Sequence, residues 1–236
     1  MDIKIPYTPR KHQAHLHKQI DKHRWNVLVC HRRFGKTVCM INHLIRSALL
    51  SKLKNPRFAY IAPTFKQAKS IAWDYMKQFT AKIPHTKFNE TELRVDLPNG
   101  SRITLLGSES PDGLRGIYLD GCVIDEYANV NSKLFPEIIR PALSDRKGYC
   151  VFIGTPMGMN NNFYELYQHA QGAEDWFNYK AKASDTKIVD NDELVKAKEV
   201  MGEKKYQQEF ECDWIANIEG AVYGDVIAKL DDDKQL

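Results

Sequence analysis

The sequence predicts a three-layer α/β sandwich on a mainly parallel sheet, followed by a small helical C-terminal subdomain. Three observations carry this. Short apolar runs alternate with segments of helical apolar period, one hairpin signal interrupts the alternation, and beyond about residue 172 the chain becomes more acidic and less regular. Its 236 residues, 43% apolar and 27% charged, suffice for a substantial core in one large domain or a domain with an appendage.

The first strand is expected at residues 27–30, an apolar β-branched run. Ile41, Leu44, Ile45, Ala48 and Leu49 then mark one face of a helix over residues 37–50. SKLKNPR reads as a loop that ends this helix. A second strand over residues 58–62 stops at Pro63, and Ile71, Ala72, Tyr75, Met76 and Phe79 repeat with helical spacing. Residues 93–97 alternate as a strand, Asn99-Gly100 turns the chain, and residues 103–106 return, which is the hairpin. A buried strand at 121–124 runs into Asp125-Glu126. Leu134, Phe135, Ile138 and Ile139 mark a helical stretch before Pro141, and a strand at 149–153 ends in Gly154-Thr155-Pro156. The last part offers a short strand at 176–179 and helices at 192–201 and 203–212, the first opened by a capping box of Asp190 with Glu193. The expected division is a core over 1–172, a linker or lid over 173–222 and a polar tail over 223–236.

Charge is unevenly spread. Residues 1–60 carry thirteen Lys/Arg against two Asp/Glu, and the remainder carries 21 against 28, for a net charge of +4. A basic N-terminal quarter suits a polyanion, nucleotide or nucleic acid, and equally a solvated basic face. Five scattered cysteines without a C-x-x-C pair give no zinc pattern and point to a reducing compartment. The N-terminus has no signal-peptide h-region and no early run of transmembrane length.

The stretch VLVCHRRFGKTVC concentrates the chemistry. It ends as a Walker A loop does, between a strand and a helix, although Cys30 stands at the position of the first consensus glycine. Backbone N–H groups across Arg32, Arg33, Phe34, Gly35, Lys36 and Thr37 would cradle phosphates, with Lys36 reaching the β and γ groups and the Thr37 hydroxyl holding Mg²⁺. Arg32 or Arg33 would offset charge developing during transfer; both also read as surface cations. Downstream, CVIDE is an apolar strand ending in two carboxylates. Asp125 would sit by the metal at Thr37, and Glu126 would polarise a water for attack on the γ phosphate. Successive strand residues point to opposite faces, so these roles require the strand to have ended. Thr155, after its own strand, would place a hydroxyl near the γ phosphate.

In their order, YTPRKHQ, HRRFGKT, YIAPT, GLRG, CVIDEYA and FIGTP resemble the ATPase portion of the large terminase subunit of tailed bacteriophages, over roughly residues 6–220. The resemblance implies a RecA-like (ASCE) P-loop NTPase sandwich that hydrolyses ATP with Mg²⁺ and drives double-stranded DNA into a procapsid. It also implies a homo-oligomeric ring on the phage portal, a small terminase subunit as partner, and the host cytoplasm as location. Gln13 matches the glutamine that recognises adenine, Arg32 the Walker A arginine, with Arg33 second, and Thr155 the coupling motif. Arg115 matches the arginine that reaches a neighbouring subunit's site; bracing of the Gly-rich turn is its structural alternative. Full-length members carry a C-terminal nuclease. No nuclease is expected here, because Asp231, Asp232 and Asp233 lack strands to converge them on two ions. A fragment of a superfamily 2 helicase and a non-catalytic DNA- or portal-binding module are the competing readings.

Overall fold

The computed structural model describes residues 5–215. Helix α1 (Lys11–Ile20) precedes strand β1 (Trp25–Cys30), helix α2 (Lys36–Leu50) and strand β2 (Arg57–Ala62). A continuous helical segment follows, composed of α3 (Phe65–Gln67), a π-helical stretch (Ala68–Trp73) and α4 (Asp74–Thr80). Strands β3 (Lys87–Asn89), β4 (Arg94–Asp96) and β5 (Arg102–Gly107) lead through a 3-10 turn to β6 (Gly121–Asp125). A π-helical stretch (Leu134–Ile139) and α5 (Arg140–Ala142) precede β7 (Tyr149–Gly154), α6 (Asn162–Gly172) and β8 (Trp176–Ala181). Helices α7 (Ala183–Thr186), α8 (Asn191–Met201) and α9 (Glu203–Glu209) complete the described chain.

All eight strands form one sheet in the order β3-β4-β5-β2-β6-β7-β1-β8. The pairs from β5 through β8 are parallel, whereas β3-β4 and β4-β5 are antiparallel. Period-two alternation divides the core into two layers. Leu28, Cys30, Tyr60, Val123 and Val151 pack with the buried faces of α1 and α2, including Leu16, Ile41 and Leu44. Val27, Val29, Ile61, Cys122, Ile124 and Phe152 face the other way, onto Leu134, Ile138 and Phe163. Burial on both faces explains why these strands read as unbroken apolar runs. All five cysteines are buried free thiols.

Most expected elements occur within a residue or two of their expected ends. The hairpin forms with Gly100 at φ 83°, donating to the Leu97 carbonyl at 3.0 Å. Two expectations need correction. The break after residue 172 does not fall at the edge of the sheet, because β8 pairs with β1 along its whole length and carries the core to Ala181. Asp190 caps α8 by accepting from the Asp192 N–H at 2.9 Å, but the reciprocal arm of the capping box is not made. Glu193 instead pairs with Lys196 at 3.8 Å, one turn along the helix. The expected tail over 223–236, with Asp231 to Asp233, lies outside the described residues.

Candidate functional site

The C-terminal ends of the parallel strands bring the expected residues together, which is where α/β sheets build their sites. After β1 the chain must turn from extended to helical within five residues. Gly35 absorbs the turn at φ 87°, with Arg33 also left-handed at φ 70°. A Cβ at Gly35 would lie 3.0 Å from Nε2 of Gln13, so the position admits no side chain without displacing a neighbour. Gly35 offers α2 no side-chain cap, which leaves the first-turn N–H groups, Lys36 and Thr37 among them, without an intrahelical partner. A 15-residue helix presenting uncapped donors and a lysine has the make-up of a phosphate site. Cys30 is buried at the strand end, and burial holds its thiol well above the usual range against the opposing pull of Lys36. It is a packing residue there and leaves the loop intact.

Lys36 is the hub. Its Nζ donates to Oγ1 of Thr155 at 2.9 Å and to the Cys30 carbonyl at 3.5 Å, and lies 3.8 Å from Oε1 of Glu126. Residues 119 positions apart in the chain thus meet on one ammonium. β6 ends at Asp125, and Glu126 adopts the left-handed conformation at φ 47°. That twist releases the second carboxylate from strict alternation and turns it to the same side as Lys36, meeting the condition stated for two acids in sequence. Burial pushes the Glu126 carboxyl above the usual carboxylate range, opposed by Lys36.

Asp125 is buried, accepts from the Tyr60 hydroxyl and also accepts the Glu126 N–H at 2.9 Å. Thr37 lies close enough to the same phenol to influence it. One side chain therefore neighbours both residues expected at the metal. A threonine hydroxyl and a carboxylate are oxygen donors of the kind Mg²⁺ takes, and this ion keeps most of its waters, so two protein groups suffice. Among the described residues no cluster of three or more His, Cys, Asp or Glu is placed to bind a metal.

A cleft of about 300 Å³ opens onto these groups, lined by Arg32, Lys36, Glu126, Asn129, Thr155 and Gln208 together with Lys205 and Glu209. Thr37 and Asp125 are not part of this lining. Of the two loop arginines, Arg32 lines the cleft and Arg33 does not. Phe34 is buried, its ring edge-on to His31, so only its backbone faces the loop. Gln13 is also buried; its Nε2 donates to the Gly35 carbonyl at 3.3 Å and its Oε1 accepts the Arg10 N–H at 3.0 Å. It braces the loop while keeping a second N–H and a second lone pair. Arg115 stays outside the cleft, exposed, with ion pairs to Asp112 at 2.8 Å and Glu137 at 3.6 Å. A larger cavity of about 490 Å³, bounded by Tyr7, His17, Asn42 and Leu49, contains none of the expected residues.

Sequence reasoning missed the grip of the C-terminal segment on the loop. The Arg32 N–H donates to the Glu209 carbonyl at 2.8 Å, and Nε2 of Gln208 donates to the Pro156 carbonyl at 2.6 Å. His31 donates through Nδ1 to the Arg32 carbonyl at 2.6 Å, and its Nε2 is hydrogen-bonded to the Thr186 hydroxyl at 2.8 Å. Burial lowers the His31 pKa, which favours the neutral ring. Tyr60 was missed as well; its only signal was a polar-tipped aromatic inside an apolar strand.

The family model for the N-terminal part of the T4likevirus-type terminase large subunit matches residues 29–225. The terminase large subunit of Thermus phage G20c is 30% identical over 126 residues, which cover 45% of this chain and 26% of that protein. The chain therefore spans about a quarter of that relative's length. Among solved structures, the large terminase ATPase domain of Thermus phage P74-26 aligns with a TM-score of 0.75 at 21% identity, over 89% of this chain and 95% of that one. The large terminase of a thermophilic bacteriophage, solved in complex with ADP, aligns with a TM-score of 0.75 at 16% identity, over 86% of this chain and 53% of that one. At those identities the two structures establish the fold, a RecA-like P-loop sandwich, and no more.

Proposed function

The chain belongs to the terminase large-subunit family, in its N-terminal part, and from that premise we propose that it hydrolyses ATP with Mg²⁺ to drive double-stranded DNA into a viral procapsid. The observation that carries the reading is the meeting of Lys36, Glu126 and Thr155 at one cleft, with Asp125 on the Tyr60 hydroxyl and Thr37 beside the same phenol. The thermophilic-phage terminase solved with ADP supports a nucleotide as the ligand.

In this mechanism the uncapped start of α2 and Lys36 hold the phosphates, and Arg32 offsets charge developing on the β and γ oxygens. Glu126 takes the proton of the attacking water, and burial, which raises its pKa, makes it a stronger base than a free carboxylate. Thr37 and Asp125 would hold Mg²⁺, which when bound neutralises charge between the β and γ phosphates. Gln13 would read adenine through its remaining N–H and lone pair. Thr155 bonds the lysine that holds the terminal phosphate, and the next residue, Pro156, is fastened to α9 through Gln208. A change at the γ phosphate thereby reaches the C-terminal segment. Arg115, exposed and outside the cleft, would serve a neighbouring protomer in a homo-oligomeric ring on the portal. The small terminase subunit would be a further partner, and the host cytoplasm the place of action. DNA contact would run mainly through phosphates.

Glu126→Gln tests the reading, because it removes the base and keeps the shape. Nucleotide binding should persist while steady ATP hydrolysis falls about 10²–10⁴-fold. Turnover at the wild-type rate removes Glu126 as the base; failure of the wild-type protein to bind any nucleotide removes the site.

A further inference from the structure

α9 contributes a third cation to the cleft. Lys205 lines it with Arg32 and Lys36, and its side chain is about half exposed, free to extend. At present its Nζ lies 3.1 Å from Oε1 of Glu209 and 3.3 Å from Oε1 of Gln208. The Glu209 carboxylate, only 16% exposed, also faces Nη1 of Arg32 at 3.9 Å. One half-buried acid thus holds two cations from different parts of the chain at the rim of an anion site. Elsewhere on α9, Gln208 fixes the helix to Pro156, next to Thr155, so Lys205 is registered to the segment beside Lys36 and Glu126.

We propose that Lys205 binds the terminal phosphate of a nucleoside triphosphate, with Glu209 holding Lys205 and Arg32 in position until that phosphate replaces it as their counter-ion. This rests on the preceding reading that the cleft takes a triphosphate. The N–H groups of α2 take the α and β phosphates in ATP and ADP alike, and Lys36 reaches the β and γ phosphates. Lys205 lines the same cleft as Glu126 and Thr155, the groups assigned to the γ phosphate, and a contact made to that phosphate is made by ATP alone. The lysine is therefore a specificity-determining residue, and it gives α9 a direct hold on the group whose loss drives the cycle.

Calorimetric titration of the wild type, Lys205→Ala and Lys205→Arg with a nonhydrolysable ATP analogue and with ADP, each with magnesium, tests it. Lys205→Ala should weaken the analogue about tenfold, the weight of one charge-assisted contact, and leave ADP within about twofold. Lys205→Arg should recover most of the loss. An analogue-to-ADP affinity ratio unchanged by Lys205→Ala, through equal loss or none, overturns the lysine's role and leaves the nucleotide site standing. A wild-type protein that binds neither ligand overturns both.

Discussion

His17 and His43 stack in the interface between α1 and α2, ring planes 7° apart and Nδ1 atoms 3.0 Å from each other. One nitrogen must donate and the other accept, so at least the accepting ring is neutral. Tyr7 closes the array at Nε2 of His17, 3.0 Å away. Burial lowers His17 from 6.5 to about 4 and His43 from 6.5 to about 3. A histidine whose folded-state pKa is depressed binds protons more readily in the unfolded chain. Stability is therefore fully expressed above 6.5 and declines as pH falls toward the folded values. By pH 5 the buried His43 alone should cost about 2 kcal/mol, at 1.36 kcal/mol per unit. Thermal unfolding between pH 8 and 5 should show a steep acid loss, and His43→Gln should flatten the part that lies below 6.5. An acid profile unchanged by that substitution would assign the loss to carboxylates instead.

At the scale of elements, the loop between β1 and α2 depends on one conformation and one contact. Gly35 occupies left-handed backbone, and an added Cβ would press on the Gln13 amide that braces the loop. Gly35→Ala should cost roughly 1–2 kcal/mol of stability from the backbone alone. It should also weaken nucleotide binding more than it lowers the melting temperature, since the N–H groups it displaces are those proposed to hold the phosphates; a titration beside a melting curve separates the two. This loop was legible in the sequence because everything that makes it is local: a β-branched strand, GKT and a helical period. The Asn99-Gly100 hairpin and the strand ending in Asp125-Glu126 were legible for the same reason. Helix α1 was not, since KHQAHLHKQI buries only Gln13, Leu16 and Ile20 and its polar rings pass for solvent-facing residues. The grip of α9 was not either. Gln208 and Glu209 are ordinary helix-surface types until topology lays them on Pro156 and Arg32, and no spacing rule encodes a contact between residues so far apart. The shift of the core boundary to Ala181 has a related cause. β8 is partly exposed along most of its length, an edge strand whose apolar signal is diluted.

For the whole molecule, the position of Arg115 separates a self-sufficient site from one completed by a second copy. The guanidinium is more than half exposed, tethered among the described residues by Asp112 and Glu137, and it does not line its own cleft. Ion pairs this exposed contribute little stability, so the arginine is not required for folding and is free to serve another protomer. An arginine supplied in trans to phosphoryl transfer is worth on the order of 10³–10⁵ in rate. If Arg115 acts across an interface, Arg115→Ala and Lys36→Ala proteins should each be inactive in the assembled motor and regain part of the ATPase activity when mixed before assembly. The regain follows from geometry: an Arg115→Ala protomer keeps a complete phosphate loop, and a Lys36→Ala neighbour still offers its arginine, so some mixed interfaces hold every group the reaction needs. An arginine that only braces the Gly113–Gly116 turn would give no such regain, because its loss would be confined to its own chain. Steady-state ATPase rates of the two variants alone and mixed, at equal total protein, distinguish the cases, and a mixture no faster than either parent assigns Arg115 to the turn.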